Sequence, residues 1–294
     1  MHRIAPTCRL IRINVMTSLL KRFVLPIVLS AVFSQASAAE PAIKLYAMDC
    51  GRAQFADLAP FADTGEYDGH PGTLMMPCFL IRHPKGDLLW EAGLGDRYAE
   101  PLGGTQLPLY RAIVDTPVAA QLQQLELSFD DIDYFAFSHG HGDHLGNANA
   151  LKQATWIVNR KELEWIQSVP APPRTNLKLI ETQARAATVL IDGDHDVFGD
   201  GSVRLLKAPG HTPGHQVLLL RLPRSGQVLL TGDLYHSHEN RAGKRMPVFN
   251  VSRSETLASM DRIERIVKNQ RARVVIQHSM DDFNALPVFP AYLD

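Results

Sequence analysis

The feature that most constrains this chain is a histidine-rich loop directly after an apolar run. Residues 138–144 read SHGHGDH, and the run Tyr134–Phe137 before them is typical of a buried strand. In an extended stretch, side chains two positions apart point the same way, so His139 and His141 can bind one metal ion together. The intervening glycines let the backbone turn tightly. The loop therefore predicts a metal site where a buried strand emerges.

The same loop offers ligands for a second ion. Asp143 and His144 lie beyond the glycine turn and can face away from the first pair. Imidazole and carboxylate groups are suitable ligands for zinc and similar divalent ions. The alternative is a polar loop with chance histidines, which the density of potential ligands disfavours.

Three later segments repeat this arrangement. Residues 209–215 (PGHTPGH), residues 231–233 (TGD) and His278 each come shortly after an apolar run. Any one of these polar residues alone would more often be structural. Their repeated placement at strand ends, where loops can converge on one cleft, adds His211, Asp233 and His278 to the candidate ligands.

Hydrophobic periodicity predicts the elements that carry these loops. The predicted strands are Ile43–Met48, Cys78–Ile81, Leu88–Trp90, Tyr134–Phe137, Thr155–Val158, Val203–Leu206, Val217–Leu220, Val228–Leu230 and Val274–Ile276. The predicted helices are Val118–Leu125, Lys161–Ile166 with Asn159 as its cap, and Ser254–Val267 beginning at Ser254. Segments 50–75 and 95–115 are predicted as long surface loops. This mixed order predicts an α/β fold of packed sheets with outer helices, in a single domain over residues 39–294.

The N-terminus has the pattern of a secretory signal peptide. A basic pair precedes the apolar run 23–33, and residues 36–38 (ASA) form a cleavage signal. The run is well short of the roughly 20 residues that a membrane span needs, so no stable membrane anchor is expected. We therefore predict residues 1–38 as a signal peptide and a periplasmic or secreted protein. Met16 would give a more typical signal length, which would make the residues before it an upstream extension.

Cysteine content and charge set the remaining limits. Cys50 and Cys78 follow the predicted signal, and in an exported protein they can form one disulfide or stay as two buried thiols. The formal net charge of -1 gives no electrostatic reason to expect nucleic acid as a partner. The expected partner is a small-molecule substrate, and the oligomeric state stays open.

The motifs HGHGDH, PGHTPGH and TGD, with the late histidine, resemble the five-motif pattern of the metallo-β-lactamase superfamily. That resemblance implies a four-layered αβ/βα sandwich with a dinuclear metal site at one edge. It leaves His215 at a position that binds no metal. The implied ligands are His139, His141 and His211 for the first ion, Asp143, His144 and His278 for the second, and Asp233 as a bridge between them.

Within the superfamily, the segments LYAMDCGR, VLLTGD and VFPAYLD resemble those of the N-acyl-homoserine lactonases. Two positions depart from that branch. Its members place a tyrosine three residues after the bridging aspartate, where this chain has His236, with Tyr235 one residue earlier. A supporting aspartate of the family is Glu91 here. Either Tyr235 or His236 is therefore expected to donate to the developing oxyanion, and the alternative for each is a surface position in the loop.

The resemblance implies a metal-dependent hydrolase that opens an acyl-homoserine lactone, an activity that quenches quorum sensing. Two divalent ions about 3.5–4 Å apart would share a hydroxide that attacks the carbonyl, with Asp143 moving a proton. Zinc is the default metal, and iron, manganese and cobalt remain open. The alternatives are a periplasmic β-lactamase, a thioesterase and a non-catalytic exported metal-binding protein. Asp233 argues against the first, because typical β-lactamases of this fold lack the bridging aspartate.

Overall fold

Two β-sheets packed face to face form the centre of the structure. The computed structural model describes residues 43–100 and 103–294, and the predicted signal peptide lies outside these residues. The strands are β1 Lys44–Phe55, β2 Gly72–His83, β3 Gly86–Trp90, β4 Thr105–Gln106, β5 Arg111–Ile113, β6 Tyr134–Ala136, β7 Thr155–Asn159, β8 Thr188–Ile191, β9 His195–Asp196, β10 Val203–Lys207, β11 Gln216–Leu222, β12 Gly226–Leu230 and β13 Arg273–Val275. The helices are α1 Val118–Gln123, α2 Arg160–Ile166, α3 His238–Gly243, α4 Arg253–Gln270 and α5 Met280–Asn284.

The strand order places the two halves of the chain in different sheets. The first sheet has the order β4-β5-β1-β2-β3-β6-β7-β8, and the second has the order β13-β12-β11-β10-β9. In the first sheet, β3, β6, β7 and β8 run parallel, whereas β1, β2 and β3 pair antiparallel. In the second sheet, β12 and β13 are parallel neighbours.

Alternating side chains along the strands build the core between the sheets. In β1, Leu45 and Ala47 belong to the cluster shared by both sheets, whereas Tyr46 belongs to a cluster on the outer face. In β11, Leu218 belongs to the shared cluster and Leu219 to the cluster on the opposite face. Both strands therefore have two buried faces, which explains the apolar runs Leu45–Met48 in β1 and Val217–Leu220 in β11.

Helices cover the outer faces. Leu122 of α1 and Ile166 of α2 are fully buried against the first sheet, and Met260 and Ile263 of α4 are buried against the second. The layers therefore follow the order helix, sheet, sheet, helix. This confirms the predicted four-layered αβ/βα sandwich.

Helix caps set two of the boundaries. The Asn159 side chain accepts a hydrogen bond from the Lys161 backbone N–H, as predicted for α2. The predicted start of α4 at Ser254 was wrong by one residue, because the cap is Ser252, whose hydroxyl accepts from the Glu255 N–H at 3.3 Å.

The two predicted surface loops contain more strand than expected. β1 continues to Phe55, through a register irregularity between Asp49 and Arg52, and β2 already begins at Gly72. The segment 95–115 holds the short strands β4 and β5. These strands extend the edge of the first sheet beside the ligand loops.

Cys50 of β1 and Cys78 of β2 form a disulfide bond, with Cα atoms 5.6 Å apart. The two strands are antiparallel neighbours, and both sulfur atoms lie in the buried cluster beneath α1. Of the two alternatives for these cysteines, the structure therefore contains the disulfide. Within the described residues, no helix combines the length and apolar character needed to cross a bilayer.

Candidate metal centre

Four strands deliver the candidate ligands to one edge of the sandwich. β6 ends three residues before His139, and β10 ends four residues before His211. The parallel neighbours β12 and β13 end three residues before Asp233 and His278 respectively. Parallel strands present their carboxyl ends at the same edge, so short connections are enough to bring these side chains together.

Three histidines form the first group of donors, and all three are buried. His139 Nε2 lies 2.8 Å from His141 Nδ1, and His211 Nε2 lies 3.2 Å from each of these two nitrogens. Two nitrogens bound to one tetrahedral zinc ion, each at about 2.0–2.1 Å, would be roughly 3.3 Å apart. The spacing and chemistry of this group fit a metal ion.

Burial also sets the protonation state of the first group. It lowers the pKa of His141 to about 4 and lowers the pKa values of His139 and His211 well below the usual range. The imidazoles are therefore neutral near pH 7, and the neutral ring is the form that binds metals.

The second group consists of Asp143, His144 and His278. Asp143 Oδ2 lies 3.5 Å from His144 Nε2 and 3.9 Å from His278 Nε2. No described residue forms a hydrogen bond with the buried His144 Nε2, although Asp233 Oδ1 lies 3.2 Å away. A buried polar atom without a partner is costly, and a metal ion would provide the partner here.

Asp233 lies between the two groups. Its Oδ2 atom is 3.3 Å from His211 Nε2, and its Oδ1 atom is 2.9 Å from His278 Nε2. Burial opposes ionisation of this carboxyl, but His278 and His144 outweigh that effect and hold the pKa of Asp233 well below its usual range. Asp233 is therefore a carboxylate with one oxygen facing each group, which is the arrangement that a bridging ligand needs.

Neighbouring polar groups fix the orientation of the ligands. Glu91 is fully buried, accepts a hydrogen bond from the Ser138 N–H and places Oε2 3.2 Å from His144 Nδ1. His278 Nδ1 donates to the Met75 carbonyl of β2 at 2.7 Å. The carboxylate of Glu91 thus supports His144 from the side away from Asp233 by holding its Nδ1 atom.

Glu162 of α2 joins the two histidine loops and was missed in the sequence. Its carboxylate accepts hydrogen bonds from the N–H groups of Gly140 and Gly214 and from the Thr212 hydroxyl, at 2.7–2.9 Å. Burial raises the pKa of Glu162 to about 7, and the three donated bonds act in the opposite direction. A glutamate in the first turn of a helix is common, so nothing in the sequence marked this residue.

His215 lies outside both groups. Its Nε2 atom accepts a hydrogen bond from the Asp233 N–H at 2.9 Å, and its Nδ1 atom donates to the Ala208 carbonyl at 3.0 Å. His215 therefore holds the backbone of Asp233 in place, whereas His211 belongs to the first donor group.

The two candidates for the oxyanion donor face opposite ways. The prediction for Tyr235 was wrong, because its ring is buried against α4 and its hydroxyl donates to Glu264 at 2.8 Å. His236 lies at the site, with Nε2 3.0 Å from Asp233 Oδ2 and its ring stacked on that of His278. Within the described residues, His236 Nδ1 is buried without a hydrogen-bond partner.

A cavity of about 170 Å³ opens beside the second group. Among the described residues that line it, Asp143 and Asp233 are acidic, Arg174 is cationic, and three are histidines, namely His141, His236 and His278. The rest of the wall is mostly apolar. Its apolar and aromatic residues are Phe55, Phe61, Leu74, Met76, Leu109, Tyr110 and Phe249.

Known proteins share this architecture. The family model described as the metallo-beta-lactamase superfamily matches residues 72–278. N-acyl homoserine lactonase AttM from Azorhizobium caulinodans is 30% identical over 229 residues, which cover 74% of this chain and 87% of the relative. N-acyl homoserine lactonase AiiA from Bacillus thuringiensis subsp. kurstaki is 28% identical over 240 residues, which cover 76% of this chain and 90% of the relative.

A solved structure extends the comparison to three dimensions. It is that of an N-acyl homoserine lactone hydrolase with the product N-hexanoyl-L-homoserine bound at the catalytic metal centre. It superposes with a TM-score of 0.73 at 26% sequence identity, covering 85% of this chain and 99% of that chain. The chain therefore belongs to the metallo-β-lactamase superfamily, as a metal-dependent hydrolase similar to the N-acyl homoserine lactonases.

Proposed function

We propose that this enzyme opens the ring of N-acyl homoserine lactones and so quenches quorum-sensing signals. The observation that carries the proposal is the position of Asp233, with one oxygen facing each donor group, at the end of a largely apolar cavity. The similarity to AttM and AiiA, which are lactonases, supports the same activity.

The donor set holds two divalent ions, and we propose zinc because neutral imidazole and carboxylate are its usual ligands. Such ions lower the pKa of water toward about 7 and polarise a carbonyl, which supplies the nucleophile and the electrophilic activation. Asp143 is the acidic ligand whose side chain is partly exposed, at 24%, to the cavity. Its carboxylate is placed to accept a proton from the attacking water and return it to the leaving alkoxide.

His236 contributes to the substrate side of the site. Its ring lines the cavity beside Phe61, and its Nε2 atom holds Asp233 Oδ2 at 3.0 Å. With Tyr235 directed away, His236 is the residue after the bridging aspartate that can meet the substrate carbonyl.

The cavity suits a small polar head group with an apolar tail. The lactone ring lies over Asp143 and Asp233, and the acyl chain follows the apolar wall formed by residues such as Phe55 and Leu74. Burial of each methylene contributes about 0.8 kcal/mol, so even a short acyl chain strengthens binding.

The test is a comparison of kcat/KM for N-hexanoyl-homoserine lactone, a penicillin and an acyl thioester on one preparation of zinc-loaded protein. We expect a clear preference for the lactone and loss of turnover after removal of metal by a chelator. Preference for the penicillin or the thioester would assign one of those activities instead. Full metal content without turnover of any of the three would favour a metal-binding protein.

We also propose that the protein is exported to the periplasm or beyond. The signal-like pattern of residues 1–38 supports this, and so does the disulfide between Cys50 and Cys78, since such bonds persist mainly in oxidising compartments. N-terminal sequencing of protein from the extracytoplasmic fraction should start near Ala39. An uncleaved N-terminus on active, cytosolic protein would overturn the proposal.

A further inference from the structure

We infer that Arg174 recognises the amide carbonyl of the substrate and so selects N-acyl lactones over simple lactones, an inference that rests on the proposed function. Arg174 lies in the connection between α2 and β8 and lines the cavity beside Asp143. Neither the ligand motifs nor the hydrophobic pattern pointed to it.

The backbone of Arg174 is fixed to the metal-binding loop. Its carbonyl accepts a hydrogen bond from the Gly142 N–H at 3.1 Å, and the next residue, Thr175, forms an isolated β-bridge with His141. Arg174 has a φ of 66°, in the left-handed region that non-glycine residues rarely adopt. Such a conformation persists only where the surroundings hold it, and here they hold it against a ligand loop.

The side chain is fixed over the cavity by an aromatic ring. The guanidinium carbon lies 3.6 Å from the centre of the Phe249 ring, which itself packs against His141 and His211. In the described part of the chain, no residue accepts a hydrogen bond from the guanidinium or forms an ion pair with it. The N–H donors are therefore held in place and remain available to a ligand.

The chemistry of these donors defines the group they would bind. Arginine offers five N–H donors in a planar fork and no acceptor, so its partner must present an acceptor oxygen. The ester oxygens of a lactone are used at the metal centre. In an N-acyl homoserine lactone the amide nitrogen is attached to the carbon next to the ring carbonyl, which makes the amide oxygen the next acceptor along the molecule.

This contact would discriminate between substrates. A γ-lactone with an alkyl tail has the same ring and a similar apolar chain, but it lacks the amide oxygen. A site that hydrogen-bonds a polar substrate group disfavours analogues that lack it, since its own buried donors then stay unpaired.

The experiment compares kcat/KM for N-hexanoyl-homoserine lactone and α-hexyl-γ-butyrolactone, whose chain is on the same ring carbon as the amide, in the zinc-loaded wild-type protein, Arg174→Met and Arg174→Lys. Methionine keeps an unbranched side chain against Phe249 and removes every donor. We expect Arg174→Met to lose about 10-fold or more on the amide substrate, the range of a hydrogen bond to a charged group, and less than about 3-fold on the γ-lactone. Arg174→Lys should restore part of the loss, because it keeps the charge without the fork.

Arg185→Met is the matched control, since Arg185 is an exposed arginine in the same connection. It should leave both substrates unaffected. Equal losses on the two lactones in Arg174→Met would show that Arg174 only supports the Phe249 wall and would overturn the inference, as would no loss on either. If the wild-type protein hydrolysed α-hexyl-γ-butyrolactone and not the acyl-homoserine lactone, both the inference and the proposed function would fail. If the wild-type protein hydrolysed neither, the proposed function itself would fail.

Discussion

The two donor groups of the metal centre are built differently. In the first group, three buried imidazole nitrogens lie 2.8–3.2 Å apart, and the loops that carry them both donate hydrogen bonds to the Glu162 carboxylate. In the second group, Asp143 is partly exposed and lies 3.5–3.9 Å from its two histidine partners. The first group is a preformed, enclosed site, whereas the second opens to the cavity where substrate arrives.

This difference indicates that the first group mainly retains its metal ion, whereas the second group also takes part in the reaction. The largely buried imidazole group gives affinity and fixed geometry, because its donors are neutral and only His141 among them lines the cavity. A group with one carboxylate at the cavity wall can exchange protons and admit substrate oxygen atoms. Substitutions in the two groups should therefore have different effects.

The largest effect is expected at the bridge. Asp233→Ala removes the carboxylate that faces both groups, so both ions should be lost and turnover should fall by more than about 10²-fold. Elemental analysis of freshly purified protein measures the metal, with the exposed Asp130→Ala as the control. Retention of both ions would show that the bridge is dispensable.

A pair of variants tests whether the two donor groups differ in how firmly they hold a metal ion. His211→Ala should remove the ion of the enclosed group, since an imidazole there has no substitute among its buried neighbours. Asp143→Ala should weaken mainly the second ion, because His144, His278 and Asp233 remain in place. Metal content after graded exposure to a chelator distinguishes the two, and greater loss from Asp143→Ala would reverse the comparison.

An intermediate effect on metal affinity is expected at Glu162, which binds the loops of the first group. Glu162→Gln replaces one of two acceptor oxygens with a donor that faces an N–H or O–H group. Metal affinity of the first group should fall by about 10–100-fold, as for other residues that orient ligand loops. Glu164→Gln makes the same change at an exposed position of α2 and should leave the affinity unchanged. Equal metal affinity in the two variants would show that Glu162 does not orient the ligand loops.

The smallest effect is expected at Tyr235, which lies two residues after the bridging Asp233 and outside both donor groups. Tyr235→Phe removes the hydroxyl that donates to Glu264, a partly exposed carboxylate, so unfolding free energy should fall by about 1 kcal/mol. Metal content and kcat should be unchanged, whereas His236→Phe should lower kcat. Thermal unfolding and single-substrate kinetics check both variants. A large loss of kcat in Tyr235→Phe would contradict the orientation of this side chain.

Much of the fold could be predicted from the sequence, because most strands of the two sheets contain short apolar runs. Val203–Leu206 and Val228–Leu230, for example, were predicted within one or two residues of β10 and β12. The convergence of the candidate ligands on one cleft followed from their position after strand ends, whereas their division into two groups came from the resemblance to the metallo-β-lactamase superfamily. The short strands β4 and β5 were missed because two or three residues carry too little periodicity.

The residues that support the site were harder to predict, since their roles depend on contacts across the chain. Glu162 meets Gly214 at a separation of 52 residues, and Arg174 meets Phe249 through a ring contact. The choice between Tyr235 and His236 depended on how the backbone leaves the short 3₁₀ helix after β12, which turns adjacent side chains to opposite sides. Local pattern carries no information of that kind.

Because a single carboxylate serves both donor groups, occupancy of one is thermodynamically linked to occupancy of the other. An ion held by the three histidines and an ion held by the second group would both use Asp233, so the affinity for either ion would depend on whether the other is present. The coupling is reciprocal, so removing either ion would change the affinity for the other by the same factor. Titration of the apoprotein with metal should therefore give two binding steps that are not independent of each other.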